Sequence, residues 1–229
     1  MTFSILAFDQ KTGTFGAAAA TGSLCVGGWV LRGSLTGGLV ASQGTAPSTL
    51  WRDDVLSAMS TGASAQNAVE TITQRDPGRA HRQIIALDPQ GGTAGFTGAQ
   101  SIAWAGHGAR SGLVFAGNMI VGKSVMDALS DAFSASTGAM ADRLLLALNA
   151  AERTGGDSRG TRSAALAVYS PNVPPLDLRI DHHDQPLATL EHLLRRTRAD
   201  PYAQWLKEVP VSSDPARAPA TVADHETSG

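Results

Sequence analysis

Several short runs carry residue types that do chemistry. Gly155-Gly156-Asp157-Ser158-Arg159-Gly160, with Ser163 close behind, is the densest polar cluster of the second half and sits where a loop enters an apolar run. A carboxylate, a guanidinium and a hydroxyl in one loop suit anion binding. The plainer alternative is that Asp157 and Arg159 pair with each other or with the turn's backbone. Residues 117–124, Gly-Asn-Met-Ile-Val-Gly-Lys-Ser, spell the letters of a phosphate-binding loop and would make the chain a nucleotide-binding protein. Against that, Met119, Ile120 and Val121 put apolar side chains where phosphate needs exposed backbone amides, and no apolar strand ending in Asp follows at a suitable distance. Residues 106–112 miss the dinucleotide pattern by one residue and read as a glycine-rich turn. Asp181-His182-His183-Asp184 has metal-ligand types, but neighbours at a strand end point in opposite directions, so a solvated turn and no metal are expected. Cys25 is the only cysteine, which excludes an intrachain disulfide and a CxxC zinc site; among small neighbours it reads as packed and inert. Ser42, Gln83 and Asn118 lie beside apolar runs and are candidate substrate-binding donors of the oxyanion type. More commonly such residues satisfy buried backbone groups.

The elements that must hold these groups follow from patterning. Residues 2–8 and 14–21 read as a β-hairpin around a turn at 9–13, and the second strand is mostly Gly16 and Ala17 to Ala20. Residues that small are poor strand formers, so another layer must approach closely there. A strand at 38–43 follows the glycine-punctuated stretch 27–33. Val55 and Met59, then Ala65, Val69 and Ile72, mark two helices, the second capped by Ser64. Strands at 83–88 and 92–97 form a hairpin, and another strand covers 113–116. Ser124 with Asp127 resembles a capping box for a helix carrying Val125, Leu129 and Phe133, followed by a helix on Met140, Leu144, Leu145 and Leu148. Strands at 163–169 and 176–180 and a short helix at 187–194 complete the pattern. This order, strands and helices in segregated blocks, predicts an α+β domain of two packed antiparallel sheets covered by helices.

With 229 residues and 42% hydrophobic content, one domain over residues 1–211 is expected, followed by a polar, mobile tail at 212–229. A net charge of -2 gives no field that would gather nucleic acid or an anionic membrane. The first ten residues lack a basic segment and reach Asp9 before any long apolar run, so a cytoplasmic protein is expected.

Seven segments in order carry a family resemblance: MTFSILAFD, LVASQG, DPGRAHRQ, FTGAQSIAWAGH, AGNMIVG, GGDSRGTRSAAL and LRIDHHDQP. Over roughly residues 2–196 the chain resembles the family known as domain of unknown function 1028. The resemblance implies a four-layer αββα sandwich of the Ntn-hydrolase-like kind, without an established reaction. In the wider Ntn-hydrolase class the first residue of the mature chain is the nucleophile and its own amine the base. Here that role falls to Thr2 once Met1 is removed, and an α-amine titrating near pH ~8 is partly unprotonated at neutrality. Arg32 lies about where proteasome-like members carry a lysine. As a permanent cation it stabilises charge or holds an anionic group but shuttles no proton. The expected catalytic set is Thr2, Arg32, Asp157 as orienter and Arg159, with Ser42, Gln83, Asn118 and Ser163 binding substrate. The implied function is amide hydrolysis of a small, carboxylate-bearing substrate, without cofactor, in a homodimer. The alternatives are a non-catalytic ligand-binding or assembly module of the same fold, and the nucleotide-binding protein.

Overall fold

The N-terminal hairpin forms as β1 (Thr2–Asp9) and β2 (Thr14–Thr21), paired antiparallel from Thr2 opposite Thr21 to Asp9 opposite Thr14. Asp9 closes the turn, its carboxylate accepting the Lys11 N–H at 3.0 Å and the Thr12 hydroxyl at 2.8 Å. The computed structural model describes residues 2–219; Met1 and residues 220–229, which include the distal part of the expected tail, lie outside the described residues.

Two antiparallel sheets stack face to face. One has six strands in the order β10-β9-β2-β1-β8-β7, with β7 (Gly106–Arg110), β8 (Leu113–Asn118), β9 (Ser163–Ser170) and β10 (Val173–Ile180). The other has four, β3-β4-β5-β6, from β3 (Leu31–Ser34), β4 (Gly38–Gly44), β5 (Arg82–Leu87) and β6 (Thr93–Thr97). Three buried clusters define the layers. Leu6, Ala17, Ala19, Leu39, Ile85 and Val114 fill the space between the sheets. Phe3, Ile5 and Ala18 pack outward on α4 (Lys123–Ala135), α5 (Met140–Arg153) and α6 (Pro186–Arg196). Val40, Ile84 and Ala86 pack the other way on α2 (Thr49–Ser60) and α3 (Ala65–Gln74).

Because strand side chains alternate, β1 is buried on both faces, which is why it reads as an almost unbroken apolar run. Its polar exceptions, Thr2 and Ser4, share the inter-sheet face with Leu6. The small residues of β2 have the expected cause: a Cβ at Gly16 would collide with the Met140 side chain of α5 and lie 2.9 Å from Leu144 Cδ1.

Two local expectations are corrected, and two stretches hold elements that the patterning did not name. The stretch 27–33 is no simple linker: it holds α1 (Val26–Trp29) and then β3. Residues 106–112 are mostly the edge strand β7, held by pairing with β8 despite poor intrinsic propensity. The capping box at Ser124 does not form; Gly122 precedes the helix without a side-chain cap, and Asp127 pairs with Lys123 instead. A short helix, α7 (Tyr202–Trp205), follows α6. Among the described residues no helix is long and apolar enough to cross a membrane.

Candidate functional site

β1 begins at the mouth of a cavity of about 510 Å³ that opens at one end of the inter-sheet space. Thr2, Thr21, Gln43 and Arg159 are polar parts of its wall, and Leu24, Trp29 and Ile102 stand at its rim 56%, 53% and 47% exposed. The Thr2 hydroxyl donates to Thr21 Oγ1 at 3.1 Å, a contact set by the direct register of the two residues across the hairpin. Thr2's carbonyl accepts from Gln43 Nε2 at 3.2 Å, and Gln43 gives its other amide proton to Gln83 Oε1 at 2.7 Å. Ser4 Oγ donates to Gln43 Oε1 at 2.7 Å. Gln83 Nε2 in turn faces Thr97 Oγ1 at 2.9 Å and the carbonyls of Gly106 and Gly117, each at 3.0 Å. The start of β1 is therefore bolted to both sheets through two fully buried amides. Such a network fixes geometry because every lost partner leaves a buried polar group unsatisfied.

Asp157 is buried and organises the rim. Its carboxylate accepts the Gly22 N–H, the Arg159 N–H at 2.9 Å, and Arg159 Nε and Nη2, each at 3.2 Å. The loop after β2 and the loop before β9 are thus joined, and the half-exposed guanidinium is aimed over the cavity. A Cβ at Gly22 would fall 2.5 Å from Asp157 Oδ2, so only glycine lets the two loops meet. The plainer alternative for Asp157 is what the structure shows: it pairs with Arg159 and with turn backbone, and that pairing fixes where the guanidinium sits. Cys25 and Met119 are the non-glycine residues with left-handed backbone among the described residues, both with φ of 59°. Met119 lines this cavity, and Cys25 lies between Leu24 and Val26, which do. Backbone held in this region costs roughly 1–3 kcal/mol per residue and tends to gather at functional sites.

The remaining predicted residues divide. Asn118 stands opposite Thr2 on β8, fully buried, and among the described residues neither its Oδ1 nor its Nδ2 has a hydrogen-bond partner. Ser163 lies one layer back: its hydroxyl donates to the Ser23 carbonyl at 2.9 Å and accepts the Val26 N–H at 3.2 Å, fixing the loop that carries Leu24. Ser42 points away from the cavity and donates to the Ser48 carbonyl at 2.8 Å. Arg32 is not brought to Thr2. Leu31 takes the inter-sheet position of edge strand β3, so alternation sends Arg32 to the other face, 3.9 Å from Asp53 of α2. There it borders a separate cavity of about 260 Å³ beside Tyr169, whose phenol is raised above its ordinary value by burial and then by Asp177.

Other residues of the site carry weak sequence signals. Thr21 ends a run of alanines, Ser4 interrupts an apolar strand, and Gln43 closes one. Arg52, buried in α2, donates to the Gly28 and Trp29 carbonyls at 2.6 and 2.9 Å and so braces the cavity wall at α1. In the phosphate-loop-like segment, the N–H groups of Met119 and Ile120 donate to the Ile102 and Trp104 carbonyls at 3.0 and 3.3 Å, which occupies amides that a phosphate would need. His183 Nδ1 accepts the Gln185 N–H at 2.8 Å at the start of α6.

Thr2 and Arg159 line one cavity of this two-sheet sandwich, Asn118 stands opposite Thr2 on β8, and a family model matches most of the chain. The protein belongs to the family of unknown function DUF1028, whose model matches residues 2–190. A crystal structure of a protein from Silicibacter pomeroyi, also of DUF1028, is 47% identical, with a TM-score of 0.91 over 95% of each chain. Among curated proteins nothing matches.

Proposed function

We propose that the chain is an amide hydrolase of the N-terminal-nucleophile type, acting on a small carboxylate-bearing amide with an apolar body. The observation that carries this reading is that Thr2 and Arg159 line one cavity at the start of β1. With Met1 removed, the Thr2 amine takes the hydroxyl proton as Oγ adds to the amide carbonyl carbon. The Asn118 amide, opposite Thr2 and with no partner among the described residues, donates to the oxygen that becomes negative. Collapse breaks the carbon–nitrogen bond, and the leaving amine takes the proton from the Thr2 ammonium. Water, deprotonated by the same amine, then cleaves the acyl-Thr2 ester to release a carboxylate and restore the hydroxyl. Arg159 pairs with the substrate's carboxylate, and Leu24, Trp29 and Ile102 offer a surface for its apolar part.

The test is turnover of N-acyl and N-carbamoyl amino acids. Thr2→Ala folds and loses all hydrolysis, whereas Thr2→Ser keeps part of it. Turnover unchanged in Thr2→Ala contradicts the reading. The exposed apolar mouth also favours a non-catalytic binding module, for which the same compounds bind to a chain with a blocked amine and are never cleaved.

A further inference from the structure

We propose that a second cavity, at the opposite end of the β1–β2 hairpin, binds a free amphipathic monocarboxylate, a carboxylate head on an alkyl body. The cavity holds about 630 Å³, within the ordinary range of small-molecule sites. Asp9 and Thr14, the residues at the far end of the hairpin from Thr2, line it, so the two sites stand roughly 23 Å apart at ~3.3 Å of rise per residue. Its floor is apolar, built from Met140, Val168, Leu176, Leu194 and Leu206. Val173 and Tyr202 line it while remaining 53% and 43% exposed, apolar surface that an alkyl chain would cover.

Charge selects the head group. Arg143, Arg198, Lys207 and Arg217 border the cavity against one carboxylate, Asp9, whose oxygens are engaged by Lys11 and Thr12. Arg198 is held by Asp142 at 2.8 Å and Arg217 lies 3.6 Å from Asp214. Arg143 instead stacks its guanidinium 4.1 Å from the Phe133 ring centre and donates to Ser136 Oγ, and Lys207 donates to Gln204 Oε1 at 2.9 Å. Among the described residues neither Arg143 nor Lys207 has a carboxylate within ion-pair distance, but Asp9 acts on Arg143 at longer range, so the charge of Lys207 is the more available to an anion bound over the apolar floor.

Calorimetric titration of the full chain with octanoate, octanol, acetate and phosphatidylglycerol vesicles tests the proposal. Octanoate binds one-to-one, with octanol and acetate at least tenfold weaker because each lacks one half of the recognition. Lys207→Ala weakens octanoate about tenfold, as loss of a charged partner does. Leu206→Asp abolishes its binding, with the fold checked by thermal melting. Absence of octanoate binding, equal binding of octanol, full binding in both cavity variants, or binding of vesicles alone would each overturn the assignment.

Discussion

Asn118 carries an unusual arrangement, a fully buried amide with neither polar atom satisfied, next to the proposed nucleophile. An orphaned buried polar group costs about 1–3 kcal/mol, and under the proposed function its partner arrives with the substrate. Asn118→Leu, similar in size, therefore lowers turnover by about 10²–10³-fold, as loss of an oxyanion donor does, while the melting temperature holds or rises. A fall of several degrees together with unchanged turnover would show the amide to be structural. At this scale the sequence was partly legible. Asp157 and Arg159 stand out because charges in a glycine-rich loop have few other uses, and the structure joins them. Arg32 is misplaced by chain position because the inward residue of an edge strand is chosen by alternation, here Leu31. Gln43 gives only a weak signal, since its role depends on Thr2 and Ser4 of β1 and Gln83 of β5 meeting it on β4.

Among the elements, the N-terminal hairpin positions the most. Its turn is pinned by Asp9, whose carboxyl is held below its ordinary value chiefly by the Thr12 hydroxyl, with burial opposing and the Lys11 N–H adding to the depression. A carboxyl depressed on folding adds stability above its unfolded pKa, and that contribution disappears as pH falls through the folded value. Denaturant melts at a series of pH values should find Asp9→Asn less stable than the parent at pH 7, with the gap closing below about pH 4. A gap independent of pH would contradict the ionic account. On β2, Gly16→Val drives a branched side chain into Met140 and Leu144 and costs about 1–3 kcal/mol, which at this chain length lowers the melting temperature by roughly 2–4 °C per kcal/mol. An unchanged melting temperature would mean that α5 does not press on β2. Long periodic elements were legible from pattern and turn residues. β3 and β7 were not, because glycine-rich edge strands are held by neighbours rather than by their own propensity.

For the molecule as a whole, segregated blocks of strands and helices were enough to anticipate two stacked antiparallel sheets with helices outside them. The cavities were not legible, because each is walled by loops distant in sequence: residues near 23, 45, 102, 119 and 159 meet only after both sheets have formed. The stacked sheets hold the start of β1 rigid while the surrounding loops supply the rim, which is the division of labour expected when catalytic groups sit on a stiff element. All of this is chemically silent unless Thr2 bears a free amine. Intact-mass spectrometry of a catalytically active preparation, with fragmentation of the N-terminal peptide, tests that directly. A chain beginning at Thr2 is the result predicted, and active protein that still carries Met1 throughout would contradict it.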